Sequence, residues 1–105
     1  MKFSLLFEMQ HPMPDGIIDE KSLIEETIAQ GVLADQVGFD YLWFVEHHFL
    51  TGFSASPSPE VFFGALSRLT KRIRLGFGVL PLPLNNLIRV AEEVATLDHI
   101  SQGRF

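Results

Sequence analysis

Glu46, His47 and His48 stand together in the stretch Tyr41 to Phe49, YLWFVEHHF, and these are the residue types best suited to proton chemistry. An imidazole with an ordinary pKa of about 6.5 takes up and returns a proton near neutrality, and an adjacent carboxylate fixes which ring nitrogen carries it. The residues before them, Tyr41 to Val45, are aromatic, aliphatic or β-branched, which suits a strand buried on both faces of a parallel sheet. The polar triplet follows with no turn residue between. It therefore falls at a strand's C-terminal end, where α/β folds place their active groups. A second chemistry is open to the same residues. Glu46 and His48 point the same way if the strand continues, as the paired ligands of a metal-dependent barrel hydrolase do. That reading needs further ligands, and neither of the other two predicted strands ends in a His or Asp cluster.

Three strand-and-helix pairs would position the triplet. Lys2 to Phe7 reads as a strand with Phe3, Leu5 and Phe7 on one face, and Gln10 to Gly16, with two prolines and a glycine, reads as a loop. A helix follows from Asp19 or Ser22 to Val37. Ser22 and Glu25 have the form of a capping box, and Ile24, Ile28 and Val32 keep helical spacing. Gly38 suits the left-handed position that ends such a helix. After the strand Tyr41 to Val45, Thr51 to Pro57 is a loop of small residues. Ser58 as N-cap, Pro59 at the first helical position and Glu60 near the positive helix end then start a helix to Leu69. Ile73 to Val79 is the third strand, bulky on one face and stripped on the other by Gly76 and Gly78, as where a ligand or another backbone approaches closely. Pro81 and Pro83 end it. Asn85 or Asn86 caps a helix from Leu87 to Ser101 with an apolar stripe of Val90, Ala91, Val94, Leu97 and Ile100, and Gly103 closes it.

Composition narrows the function classes. The 105 residues are 47% hydrophobic and 20% charged, which implies one packed domain of modest size rather than a disordered chain. A net charge of -5 without a basic cluster argues against a nucleic-acid partner. No apolar run is long enough to span a bilayer, and MKFSLLFEMQH turns polar too early for a signal peptide, so a cytoplasmic protein without membrane contacts is expected. The absence of cysteine removes disulfides, thiolate chemistry and Cys-based metal sites from consideration.

The order strand, helix, strand, helix, strand, helix defines an α/β fold with right-handed parallel crossovers. A doubly wound nucleotide-binding sheet would carry G-x-G-x-x-G after its first strand, where this chain has MQHPMPDG. A (β/α)8 TIM barrel fits better. Since such barrels need about 250 residues, residues 1–105 would be the N-terminal part of a single, incomplete barrel domain, its first three βα units.

The stretches MKFSLLF, GFDYLWFVEHHF, RIRLGFGVLPLP and AEEVATLDHISQGRF together resemble the N-terminal part of the bacterial luciferase-like flavin-dependent monooxygenases, in particular the luciferase alpha-subunit branch. The resemblance covers essentially the whole chain. It implies an enzyme that uses reduced FMN and O2 to oxidise a small organic substrate, such as an aldehyde, or an oxidoreductase of a sister family using the deazaflavin F420. A separate flavin reductase is the implied source of reduced flavin, and the parent enzyme is expected to be able to dimerise. His47 matches the catalytic acid/base of the family, with His48 and Glu46 beside it. Gly76, Gly78 and Val79 match the strand that meets the flavin ring, a flat wall without Cβ atoms being what a planar tricycle needs. Asp98, Ser101 and Arg104 belong to the LDxxSxGR run and read as structural. No metal is implied. Many relatives carry a His-Pro pair where this chain has Asn85-Asn86.

Overall fold

The structure, a computed structural model, describes residues 1–10, 19–50 and 52–105. Its elements follow in chain order: β1 (Ser4–Phe7), α1 (Glu20–Val37), β2 (Tyr41–Phe44), α2 (Pro59–Leu69), β3 (Arg74–Phe77), a 3-10 turn (Leu82–Leu84) and α3 (Leu87–Ser101). The strands form one parallel sheet in the order β1-β2-β3. Each element predicted from the sequence is present, with strands shorter at their ends. The predicted loop at 11–16, with His11, and Thr51 lie outside the described residues.

The register explains the two faces of the sheet. Leu5, Leu42 and Leu75 align across the three strands, as do Phe7, Phe44 and Phe77, and this face is covered by helices. The Phe44 ring lies 5.1 Å from Phe7 and 5.2 Å from Phe62, and Phe63 meets Phe44, Phe77 and Phe105 edge-on. Leu42, Phe44, Phe63, Leu66 and Ile73 are fully buried there. The opposite row is Leu6, Trp43 and Gly76. Leu6 on that row is 53% exposed.

Helix ends follow local chemistry, with three departures from the expected pattern. Asp19 caps α1 by accepting from the Lys21 N–H, and Ser22 Oγ donates to Asp19 at 2.5 Å. The Ser22–Glu25 capping box is not formed, because Asp19 takes the cap and leaves Ser22 within the first turn. Ser58 precedes α2 but makes no side-chain cap bond, leaving Pro59 to set the start. Asn86 caps α3 through the Ile88 and Arg89 N–H groups. At the other end Gln102, at φ 61°, takes the left-handed position, with Gly103 continuing the turn. Gly38 closes α1 as expected, at φ 100°.

Of the expected stripe on α1, Ile28 and Val32 pack partly buried against the core and Ile24 is exposed, but the fully buried face lies beside it. That face is Thr27, Gly31, Ala34 and Asp35. Small residues win because α1 approaches closely: a Cβ on Gly31 would lie 2.8 Å from Leu66 Cδ2 and 3.3 Å from Leu42 Cδ1. In α3, only Leu97 of the predicted stripe is buried, while Ala91 and Ile100 are exposed. Below the sheet, at the N-terminal ends of the strands, two polar residues tie elements together. Asp35 accepts from the backbone N–H groups of Lys71, Arg72 and Ile73, and Arg104 donates to Ser67, Thr70, Ile73 and Ser101. Ser101 Oγ donates to the Asp98 carbonyl within the same turn, so this run acts structurally.

Candidate functional site

The site is assembled at the C-terminal ends of the three strands. Parallel hydrogen bonding persists just beyond them, from Val45 N–H to the Phe7 carbonyl at 3.2 Å and from Gly78 N–H to the Phe44 carbonyl at 2.7 Å. The strand ends are therefore fixed relative to one another as Glu46, His47 and His48 emerge. His47 N–H donates to the Ser56 carbonyl at 2.9 Å, and Ser56 Oγ, fully buried, donates back to the Val45 carbonyl at 2.7 Å. This exchange turns the chain after β2 against its own return loop and splays the two imidazoles apart.

His48 and Glu46 form one pair. Their Nε2 and Oε1 atoms are 2.7 Å apart, and the Glu46 side chain is only 5% exposed. A buried carboxylate needs donors. Asn85 Nδ2 supplies a second, longer one to the same oxygen at 3.4 Å while also donating to the Pro81 carbonyl. The pair opens on a small pocket of about 200 Å³ that Phe77, Glu60 and Glu93 also line. His47 stands on the other side. Its Nε2 is 3.6 Å from Glu8 Oε2, and its ring meets Phe53 edge-on with centroids 6.0 Å apart. Both imidazoles are partly exposed and border a larger apolar cleft of about 560 Å³ between α1 and α2, walled by Ile24, Ile28, Val61 and Phe62. The structure thus brings the predicted triplet to one end of the sheet but pairs its members differently. Glu46 orients His48 rather than His47.

Gly76 and Gly78 lie on the stripped face of β3 and its extension. A Cβ on Gly76 would fall 2.5 Å from Trp43 Cζ3, so the absent side chain makes room for the Trp43 indole. At Gly78 a Cβ would meet Leu6 Cδ1 at 3.1 Å and Trp43 Cβ at 3.2 Å, and Val79 beyond it is 69% exposed. Gly76 therefore has a packing role, and Gly78 packs less tightly against Leu6 and Trp43, with Val79 beyond it at the strand end. Sequence reasoning missed Glu8 and passed over Ser56. The signal for Glu8 was available: it is a carboxylate directly after the first strand, at the same end of the sheet as the triplet. Among the described residues, no group of three or more His, Cys, Asp or Glu side chains is arranged to hold a metal ion. Glu46 and His48 do face one another, but they bond to each other.

A family model described as luciferase-like monooxygenase matches residues 1–105. The chain belongs to the luciferase-like monooxygenase family. It is 44% identical over 71 residues, 68% of the chain, to the 4-hydroxyprotoasukamycin monooxygenase of Streptomyces nodosus subsp. asukaensis, covering 19% of that protein. It is 35% identical over 100% of its length to the alkanal monooxygenase alpha chain of the Kryptophanaron alfredi symbiont, covering 28%. Its fold matches the oxygenating constituent of 3,6-diketocamphane monooxygenase from the CAM plasmid of Pseudomonas putida, solved with FMN, at a TM-score of 0.89 and 26% identity, over 99% of this chain and 28% of that one. This luciferase-like chain thus spans about a quarter of the length of the proteins it matches. Its parallel α/β arrangement is that of the family's TIM barrel.

Proposed function

We propose that the enzyme to which this sequence contributes is a flavin-dependent monooxygenase that uses reduced FMN and O2 to oxidise a small organic substrate, with an aldehyde as one candidate. The observation that carries the proposal is the placement of His47 and of the Glu46–His48 pair at the C-terminal ends of parallel strands, next to an open strand end at Gly78 and Val79. The residues present fit one wall of a flavin site. A Cβ at Gly78 would crowd Leu6 and Trp43, so the end of this strand is kept free of a side chain there. Gly78 and Val79 would lie against the ring, with Gly76 supporting them by admitting Trp43. Reduced flavin, when bound, supplies the electrons that activate O2. The chain's own residues manage protons. Glu46 accepts from His48 Nε2–H, which leaves Nδ1 of a neutral ring as the acceptor. His47, half-exposed and fixed through its backbone to Ser56, is placed to hold or return a proton at the edge of the cleft.

The Pseudomonas putida protein is the oxygenating constituent of its system, which supports a separate reductase as the supplier of reduced flavin here. A cytoplasmic setting belongs to the same proposal and suits a chain without cysteine. The test is His47→Ala in the whole-barrel protein carrying this sequence. Flavin titration should show near-normal affinity, while substrate oxidation falls by about 100-fold or more, the scale of a lost general acid or base. Oxidation within a few-fold of the unsubstituted enzyme would remove His47 from the chemistry.

A further inference from the structure

Glu8 lies just beyond β1, on a different element from the Glu46, His47, His48 triplet, yet its carboxylate faces His47 Nε2 at 3.6 Å. A set of contacts joining the end of β1 to the loop after β2 holds the backbone that carries Glu8 in place. Ser54 Oγ donates to the Glu8 carbonyl at 2.5 Å, Ala55 N–H donates to the Met9 carbonyl at 3.1 Å, and Gln10 forms an antiparallel bridge with Ser54. Met9 between them is buried and adopts a left-handed φ of 48°, a conformation a methionine takes only when its surroundings hold it there. On the opposite side of the contact, His47 is secured by its N–H to the Ser56 carbonyl, two residues along the same loop. Ser54, Ala55 and Ser56 thus anchor the backbones that carry Glu8 and His47 to a single short segment. Phe53, edge-on to the His47 ring, limits its rotation.

We infer that Glu8 is a positioning residue for His47. Its carboxylate favours the tautomer with the proton on Nε2 and turns Nδ1 toward the site, as Glu46 does for His48 at shorter range. At 3.6 Å the contact is longer than a hydrogen bond, and it acts by placing negative charge opposite an N–H rather than opposite a lone pair. Contacts of this kind commonly shorten once substrate and cofactor bind. The two imidazoles therefore receive one carboxylate each, from different strands. This assignment rests on the reading of His47 given above.

The experiment uses the whole-barrel protein with ¹⁵N-labelled histidine, His47 being assigned by its loss in His47→Gln. In Glu8→Ala, the His47 ring signals should move away from the Nε2–H tautomer pattern, and turnover should fall on the order of 10-fold with flavin affinity held within about twofold. Glu8→Gln keeps the length and shape of the side chain but removes its charge, so it should move the His47 ring signals and turnover in the same direction as Glu8→Ala, with a thermal melt confirming that each variant is folded. Unchanged His47 ring signals in Glu8→Ala would overturn the inference. So would a changed tautomer with unchanged turnover, in a protein where His47→Ala is inactive. If His47→Ala itself keeps full turnover, the catalytic reading fails, and the tautomer measurement alone still decides whether Glu8 orients the ring.

Discussion

Trp43 shows how one side chain sets the requirements on its neighbours. Its ring stacks on Tyr41, with centroids 5.8 Å apart, and crosses β3 at Gly76, where a Cβ would intrude to 2.5 Å. Under 3 Å something must shift, and a large ring backed by Tyr41 has little freedom to do so. Gly76→Ala should therefore destabilise the whole-barrel protein by about 1–3 kcal/mol, the usual scale for overpacking. Gly64, in the middle of α2, has nothing within 4 Å of the position that an alanine methyl group would take. There the backbone entropy of glycine is the dominant effect, and Gly64→Ala should stabilise by about 0.5–1 kcal/mol. Denaturation midpoints of the two variants should move in opposite directions; a raised midpoint in Gly76→Ala would contradict the packing of Trp43 on β3, and a lowered one in Gly64→Ala the open space on α2. Gly78→Val separates packing from binding at the strand end. A loss of flavin affinity with a small change in midpoint supports the flavin wall, and the reverse pattern assigns Gly78 to packing.

At the scale of elements, Asp35 joins α1 to the approach of β3. It is 8% exposed and accepts three backbone N–H groups, at 2.7 to 3.0 Å, from Ile73, Lys71 and Arg72. Burial alone would raise its pKa, but these N–H groups, with the Arg72 charge, outweigh burial and hold it below the ordinary carboxylate value. A carboxyl depressed in the folded state contributes stability that is fully present above its unfolded pKa of about 3.9 and is lost as pH falls through the folded value. Thermal melts of the whole-barrel protein should therefore show an acid-sensitive step below about pH 4 that is missing in Asp35→Asn, a variant expected to be less stable at neutral pH by about 1–3 kcal/mol. An identical acid profile in both would remove Asp35 as the cause. Arg104 is held in the same region by carbonyl acceptors, with burial pushing its pKa down against the pull of Asp35. Neither contact was legible from the sequence, because each joins residues more than 30 positions apart. What was legible is local: glycine after α1, proline opening α2, asparagine capping α3, and a strand run ending in a polar triplet. The buried face of α1 was hidden for a related reason, since Gly31 at its centre is required by the closeness of Leu66 and not by hydrophobicity. The site was half legible. Adjacent positions revealed Glu46, His47 and His48, but Glu8 and Asn85 reach them only through the parallel pairing of strands.

For the molecule as a whole, the unequal faces of the sheet decide what these 105 residues do by themselves. Leu42 and Phe44 are buried under the helices, and the bare side is the row of Leu6 and Trp43, while Phe3 at the start of β1 is also 53% exposed. β1 has a free edge. β3 is joined on its outer side by the Leu75 N–H to Arg104 carbonyl bond, at 2.8 Å, where the chain runs alongside it again. Open edges next to exposed apolar side chains template association between chains. Closing a barrel would remove the edges and cover the bare face together. Among the described residues, the strand-end site is bounded only by the ends of these three strands and the loops beside them, so a planar ligand would gain contact on a single face. The 105-residue chain expressed alone should therefore associate or remain loosely packed, and should show neither tight flavin binding nor oxidation of substrate. Size-exclusion chromatography, a thermal melt and anaerobic titration with reduced FMN provide the check. A monodisperse monomer with a sharp cooperative melt and micromolar or better affinity would show that three βα units already suffice.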